Sequence, residues 1–159
     1  MEAASSLGHM YVKRRATKSY FNHSKELLFS AIQKYIRRGL LEKAVWCVLE
    51  VDRFKHLLQD DLMRVYLTCY SDRNEKDTRM QIKGLQTNLI NRFKVISVED
   101  VGMGQPGLCA IIDRLIFEWD QSDRRDVEPL VRITTYLCRA RKIRLLSDLK
   151  SVYHLPPYY

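Results

Sequence analysis

Apolar residues recur at helical spacing along most of the chain. The first stripe is formed by Leu27, Leu28, Ala31, Ile32, Tyr35 and Ile36, and it follows the 3.6-residue period of an α-helix. Ser24 stands at the N-cap position, and Arg37 and Arg38 complement the far end of the helix dipole. The pattern predicts a helix from Ser24 to about Arg38, terminated by Gly39 in the left-handed conformation.

The next segment, from Leu41 to about Arg53, is apolar on nearly every side. This composition predicts a central helix with Trp46 in the core, and the short connection at Gly39 predicts an antiparallel hairpin with the preceding helix. A third segment covers about 57–69. The charged stretch "SDRNEKDT" at 71–78 follows and is predicted to be an internal loop, although a solvated helix would give the same pattern.

Four further features complete the helical pattern. A fourth helix is predicted from about Met80 to Val98, and Pro106 is predicted to open a fifth, whose inward face is Leu108, Ile111, Ile112, Leu115 and Trp119. Asp126 is predicted to cap a sixth helix with Pro129 in its first turn. A last helix is predicted over 144–153, with an inward face of Leu146, Leu149 and Val152.

Strand signals are weak, because the β-like run "KVISV" lies inside a helical pattern. The prediction is an all-α fold with one compact domain of about six to seven helices over 23–154. A flexible basic arm is expected over 1–22, where the "GHM" motif suggests that 1–9 are vector-derived. An extended tail is expected over 155–159, since two prolines disfavour a helix.

Composition narrows the class of protein. The 159 residues are 46% hydrophobic and 29% charged, as is typical of a globular protein. Neither a bilayer-spanning apolar stretch of about 20 residues nor a signal-peptide pattern is found. We therefore expect an intracellular protein, in the nucleus or cytoplasm, without membrane contact. The cysteines, Cys47, Cys69, Cys109 and Cys138, form no C-x-x-C pair, which favours reduced, buried thiols over disulfides or zinc.

Positive charge dominates, with 27 Lys and Arg against 19 Asp and Glu, a net charge of +8. It is concentrated near the termini and favours polyanionic partners, nucleic acid first. The candidate nucleic-acid-binding residues are Lys13, Arg14, Arg15, Arg37, Arg38, Arg132, Arg139, Arg141, Lys142, Arg144 and Lys150. The alternative is that they are solvated helix ends and a basic disordered arm.

The stretch "NRFKVISVEDVGMGQPGL" at 91–108 places Glu99 and Asp100 at the end of an apolar run, immediately before a turn. Paired acids suit acid–base chemistry or a metal, or else they stabilise a helix end. No His, Cys or third acid follows at ligand spacing. We therefore favour the structural interpretation, in which both acids accept hydrogen bonds from N–H groups that begin the next helix. Gly102 and Gly104 are expected to reverse the chain with positive φ, and Arg92 lies two turns before Glu99 on the same face.

The same stretch resembles the helical C-terminal region of clamp-loader-related AAA+ replication-recombination ATPases of the Werner-helicase-interacting type. The residues that match the family's "R-R-L-x-x-x-A-S-E-D-I-G-L-A-D-P" pattern are Arg92, Glu99, Asp100, Gly102 and Pro106. A weaker upstream motif is matched by Ser30, Arg37, Arg38, Ala44 and Trp46. The resemblance covers about 28–120. It implies a collar-like oligomerisation region with an architectural acid pair, and a viral origin, since large DNA viruses carry similar small proteins.

The chain departs from that family in having no G-x-x-x-x-G-K-[ST] motif, hence no phosphate-cradling loop and no ATPase. We expect a non-enzymatic protein without metal or cofactor that binds nucleic acid, DNA ahead of RNA, in replication, repair or packaging. The alternative is a protein-interaction or homo-oligomerisation module of a larger replication complex. A third hypothesis, a metal-dependent enzyme using Glu99 and Asp100, predicts nuclease activity.

Overall fold

The structure, a computed structural model, describes residues 19, 21–53, 72–143 and 145–153, and these contain helices and no strand. The helices are α1 (Lys25–Arg37), α2 (Leu41–Asp52), α3 (Asp72–Ile96), α4 (Leu108–Gln121), α5 (Glu128–Arg139) and α6 (Leu145–Tyr153). A π-helical turn (Ser97–Val101) and a 3₁₀ turn (Gly102–Gly104) connect α3 to α4. The predicted all-α class is confirmed. Residues 1–18 and 20 of the predicted arm, the segment 57–69 and the tail 155–159 lie outside the described residues. At the end of the arm, Ser19 is buried and the Phe21 N–H donates a hydrogen bond to Glu50 on α2.

The hairpin of α1 and α2 forms as the sequence predicts. The Ser24 hydroxyl oxygen accepts a hydrogen bond from the Leu27 backbone N–H at 3.2 Å, and Gly39 has a φ of 67° between the two helices. The buried face of α1 differs from the predicted stripe at one place: Leu27 was predicted to be buried but is 55% exposed, and Phe29 is buried instead. The two helices pack against each other, and the connecting residues 38–40 are exposed.

The prediction that Trp46 on α2 lies in the core was wrong. Ala44, Cys47, Val48 and Val51 are buried, but Trp46 is 43% exposed. The helical period explains this, since these four apolar residues share one face and Trp46 lies about 150° around the helix from its centre. That buried face packs against α1 and α5. Trp119 on α4, by contrast, is fully buried as predicted.

The charged stretch 72–78 is helical, because α3 begins at Asp72. The loop prediction was therefore wrong, and the alternative of a helix was correct. α3 also ends at Ile96, before the predicted Val98, since the backbone changes to the π-helical turn. α4 begins at Leu108 with Pro106 in the preceding turn. Among the residues that the structure describes, no helix has the length and apolar character needed to span a membrane.

One hydrophobic core joins the inner faces of α1 to α5. Its largest fully buried side chains include Phe93 on α3 and Trp119 on α4. Val101 of the π-helical turn is also buried, so the turn is part of the core. Before α5, the Asp126 carboxylate accepts a hydrogen bond from the Glu128 N–H at 3.0 Å. The N-cap position itself is Val127, one residue after the predicted Asp126. The predicted inward positions Ile111, Leu149 and Val152 are exposed instead.

The described cysteines are free thiols. Cys47 and Cys138 are buried, and Cys109 is half-buried. Burial raises the pKa of the Cys47 thiol, and nearby Glu50 raises it further. Burial also raises the pKa of the Cys138 thiol, against a smaller lowering by Lys142. Both thiols therefore stay protonated, and poorly reactive, at neutral pH. Cys69 lies outside the described residues.

Candidate nucleic-acid interface

Asp100 stands at the centre of the region that the sequence singled out. Its side chain is fully buried, and its Oδ1 accepts a hydrogen bond from Arg37 Nε at 2.7 Å. Its backbone carbonyl accepts a second hydrogen bond from the Ile143 N–H at 2.9 Å. Asp100 thereby connects the end of α1, the π-helical turn and the segment that follows α5. A buried carboxylate with a charged donor at this distance is a strong, directional contact.

This arrangement corrects the predicted partners of the acid pair. Asp100 binds Arg37 from α1, where the sequence analysis expected N–H groups at the start of the next helix. Arg92 donates a hydrogen bond to Gln33 Oε1 on α1 at 3.0 Å, rather than bridging towards Glu99. Glu99 is half-buried in the turn. Contacts between residues distant in sequence determine these partners, so the local pattern could not reveal them.

The two glycines of the turn have different physical roles. Gly102 has a φ of 45°, as predicted. Gly104 does not have a positive φ, but a Cβ on it would lie 2.4 Å from the backbone oxygen of Arg141. The absence of a side chain at Gly104 therefore lets the segment after α5 lie directly against the turn.

Lys142 closes the C-terminal end of α5. Its Nζ donates hydrogen bonds to the backbone oxygens of Cys138 at 2.9 Å and Ala140 at 2.7 Å. These contacts satisfy carbonyl groups that the helix leaves without internal partners. Burial lowers the pKa of Lys142, although neighbouring Cys138 and Asp100 act in the opposite direction. The main role of Lys142 is therefore to stabilise the end of α5 and not to present a charge to the solvent.

The fold brings two basic segments together that are far apart in sequence. A Cβ on Gly39 would lie 3.6 Å from the backbone oxygen of Cys138, so the C-terminal ends of α1 and α5 are adjacent. We call the resulting set the basic end: Arg37, Arg38, Arg139, Arg141 and Lys142. Within it Arg38, Arg139 and Arg141 are exposed, and the other two are half-buried in the contacts described above.

The remaining candidate cations lie elsewhere. Arg132 on α5 contacts Glu118 at 3.5 Å and Glu128 at 3.7 Å, so acids offset much of its charge. The predicted contributors whose side chains lie outside the described residues are Lys13, Arg14, Arg15, Arg144 and Lys150. Among the described residues, no group of three or more His, Cys, Asp or Glu could hold a metal ion.

A second surface lies along the α1–α2 hairpin, and the sequence pattern pointed to only one of its residues, Phe21. We call it the aromatic band: Phe21, His23, Tyr35 and Trp46. The Trp46 ring lies 5.8 Å from that of Phe21 and 5.6 Å from that of His23, between centroids. The basic arm mixes cations with aromatics over 11–21, a pattern that favours binding to single strands or grooves but is equally typical of a disordered tail. Nothing in the sequence indicated the exposure of Trp46, because the apolar composition of α2 placed that ring in the core.

Comparison of the chain with the models of known protein families gives no match, and comparison with curated proteins gives no significant match either.

Proposed function

We propose that this chain is a non-enzymatic, nucleic-acid-binding protein that contacts phosphates through the basic end and the basic N-terminal arm. DNA is the favoured partner over RNA, and replication, repair or packaging the favoured process. One observation carries the proposal: two basic segments, 37–38 and 139–142, meet at one end of the helical domain. Neither segment contains an acid, and the buried Asp100 that contacts them is paired with Arg37.

The residues of the basic end fall into two groups, those bound by protein groups and those that are exposed, and this supports the proposed function. Arg37 and Lys142 are held by protein groups and keep the two helix ends together. Arg38, Arg139 and Arg141 remain exposed, where neutralising phosphates would release condensed counterions. Such contacts carry no base information, so the binding we propose tolerates many sequences.

Salt dependence is the first expected result. Affinity for a short DNA duplex should fall by about one log unit of K per log unit of salt for each phosphate neutralised. In the Arg139→Gln/Arg141→Gln variant, affinity at about 50 mM salt should fall roughly tenfold, and the slope should decrease by about 2. Fluorescence anisotropy of a labelled duplex, titrated at several salt concentrations, measures both quantities.

A matched control removes the same charge elsewhere. Arg114 and Arg125 are both highly exposed and lie on α4 and before α5, so Arg114→Gln/Arg125→Gln changes the net charge equally. This control should reduce affinity by less than about twofold, since distant exposed charges are screened. Absence of binding at about 50 mM salt, or an affinity that does not change with salt, would overturn the proposed function.

The resemblance to the replication-recombination ATPases supports a finer proposal. In that proposal the domain has about six to seven helices in a collar-like arrangement and acts as an adaptor to a larger, viral, replication complex. The Asp100–Arg37 contact supports the architectural role that the resemblance implies for the acid pair.

A second candidate function is self-association, favoured by one face of α6. Leu145, Leu149 and Val152 are 51%, 37% and 69% exposed, and their spacing aligns them on one side of the helix. An apolar stripe of this kind matches a second copy of the same stripe in a two-fold interface.

The self-association hypothesis predicts an oligomer in the absence of nucleic acid. Val152→Lys should shift the equilibrium towards monomer, because a charge would be buried in an apolar interface. Phe117→Lys changes a similarly exposed residue on α4 and should leave the mass unchanged. Sedimentation equilibrium measures both variants, and a strict monomer for the unaltered chain would count against this function.

A further inference from the structure

We infer that the aromatic band is a stacking surface for the unpaired bases of single-stranded nucleic acid, with Trp46 as its main contact. This inference rests on the proposed nucleic-acid-binding function and specifies the form of nucleic acid preferred. It concerns a surface distinct from the basic end, which contacts phosphates of either form.

The first observation is the exposure of the rings. Trp46 is 43% exposed and Phe21 is 50% exposed, although both are large apolar side chains. The two rings are tilted by 36°, and His23 meets Trp46 edge-on at 79°. Neighbouring rings thus hold the indole in place while part of its surface stays open. Aromatic faces of this kind accept any base, because every base has a π-face.

The second observation is the position of the cations. Lys43 Nζ lies 5.9 Å from the Tyr35 ring, and the Arg53 guanidinium lies 5.9 Å from the Phe21 ring. Lys43 in the first turn of α2 and Arg53 at its C-cap are separated by about 15 Å along the helix, with Trp46 between them. Cations at both ends of an aromatic surface complement a strand whose bases stack on the rings and whose phosphates lie beside them.

The third observation is a groove beside Trp46. It has a volume of about 320 Å³ and is lined by Tyr35, Glu42, Lys43, Trp46 and Cys47, which places it at the small end of ligand sites. The Phe21 N–H donates to the buried Glu50 carboxylate at 2.7 Å, and this bond fixes the segment that carries Phe21 against α2. The surface is therefore preformed. Glu42 is the one acid among the described residues that line the groove, and Glu42→Gln should raise affinity for an anionic strand.

The decisive comparison is between an oligothymidylate of about 15 nucleotides, a length within the usual site sizes, and an abasic strand with the same number of phosphates. The unaltered chain should bind the oligothymidylate about tenfold more tightly, since base stacking contributes about 1–3 kcal/mol per base. Trp46→Leu should abolish this difference because leucine covers the same apolar surface without a π-face. Trp46→Phe should retain most of it. Phe117→Leu, at an exposed aromatic on α4, is the matched control and should change nothing.

Intrinsic fluorescence provides an independent readout. Trp119 is fully buried, so quenching by the oligothymidylate should arise from Trp46 and disappear in Trp46→Phe. Circular dichroism of each variant confirms that the helices persist. If the strands and the duplex bind but Trp46→Leu leaves the ratio unchanged, the stacking surface is overturned and the proposed function stands. If nothing binds at about 50 mM salt, the proposed function itself fails.

Discussion

Replacing Asp100 with asparagine should lower the free energy of unfolding by about 2–3 kcal/mol and the melting temperature by about 5–10 °C. The carboxylate is fully buried and its 2.7 Å contact with Arg37 Nε is direct. The amide oxygen can still accept the hydrogen bond from Arg37 Nε, but the substitution removes the charge that the guanidinium faces and buries an NH2 group at the position of Oδ2. We expect less than the full effect of breaking a buried pair because the Arg37 side chain is 32% exposed, and water can partly solvate it.

Two further variants provide the controls for this prediction. Asp113 forms an exposed pair with Lys94 at 3.7 Å, so Asp113→Asn should change stability by about 0.5 kcal/mol or less. Arg37→Met/Asp100→Leu removes both charges and should be less destabilised than either single variant. Urea unfolding followed by circular dichroism measures all of these. An Asp100→Asn protein that is as stable as the unaltered chain would refute the structural role of the pair.

Glu99→Gln tests the hypothesis of a metal-dependent nuclease, which the proposed function does not include. The substitution should have a small effect on stability, because Glu99 is only half-buried. The proposed function expects no divalent-dependent cleavage of DNA by the unaltered chain. Cleavage that disappears in Glu99→Gln while the melting temperature is unchanged would establish the catalytic alternative.

Replacing Gly104 with alanine should destabilise the protein by about 2 kcal/mol, because the added methyl overpacks a site that cannot yield easily. Its Cβ would lie 2.4 Å from the Arg141 backbone oxygen and 3.3 Å from the Ile143 side chain. The segment after α5 would have to move away from the turn. Because Ile143 donates its N–H to the Asp100 oxygen, we also expect weaker packing around the buried pair. The midpoint of urea denaturation measures the loss.

Two other glycines make this test specific. A methyl group added at Gly107 or Gly84 would meet nothing within 4 Å, and neither residue has a positive φ. Gly107→Ala should be nearly neutral. Gly84→Ala should stabilise the protein by about 0.5–1 kcal/mol, because it replaces a glycine in the interior of α3. A Gly104→Ala variant that resembles these controls would show that the turn adjusts freely.

The sequence predicted the local features of the fold because each depends on a few neighbouring residues. Ser24 begins α1 and Gly39 ends it, since capping and left-handed backbone are properties of the residue type and its immediate neighbours. The burial of Leu28, Ile32 and Ile36 also followed from helical periodicity. The ambiguity of the charged stretch 71–78 had a physical basis as well, because a solvated helix and a loop carry the same polar composition.

Only the tertiary structure decided which residues meet across helices. The pairing of Arg37 with Asp100 and the approach of Gly39 to Cys138 depend on how α1 and α5 pack. The same is true of Trp46, which the apolar composition of α2 placed in the core but which lies on a side of the helix that its neighbours leave partly exposed. Sequence spacing determines which residues share a helix face, whereas the neighbouring helices determine which faces are covered. The basic end and the aromatic band are therefore properties of the packed chain, and the local pattern supplied only the residues that form them.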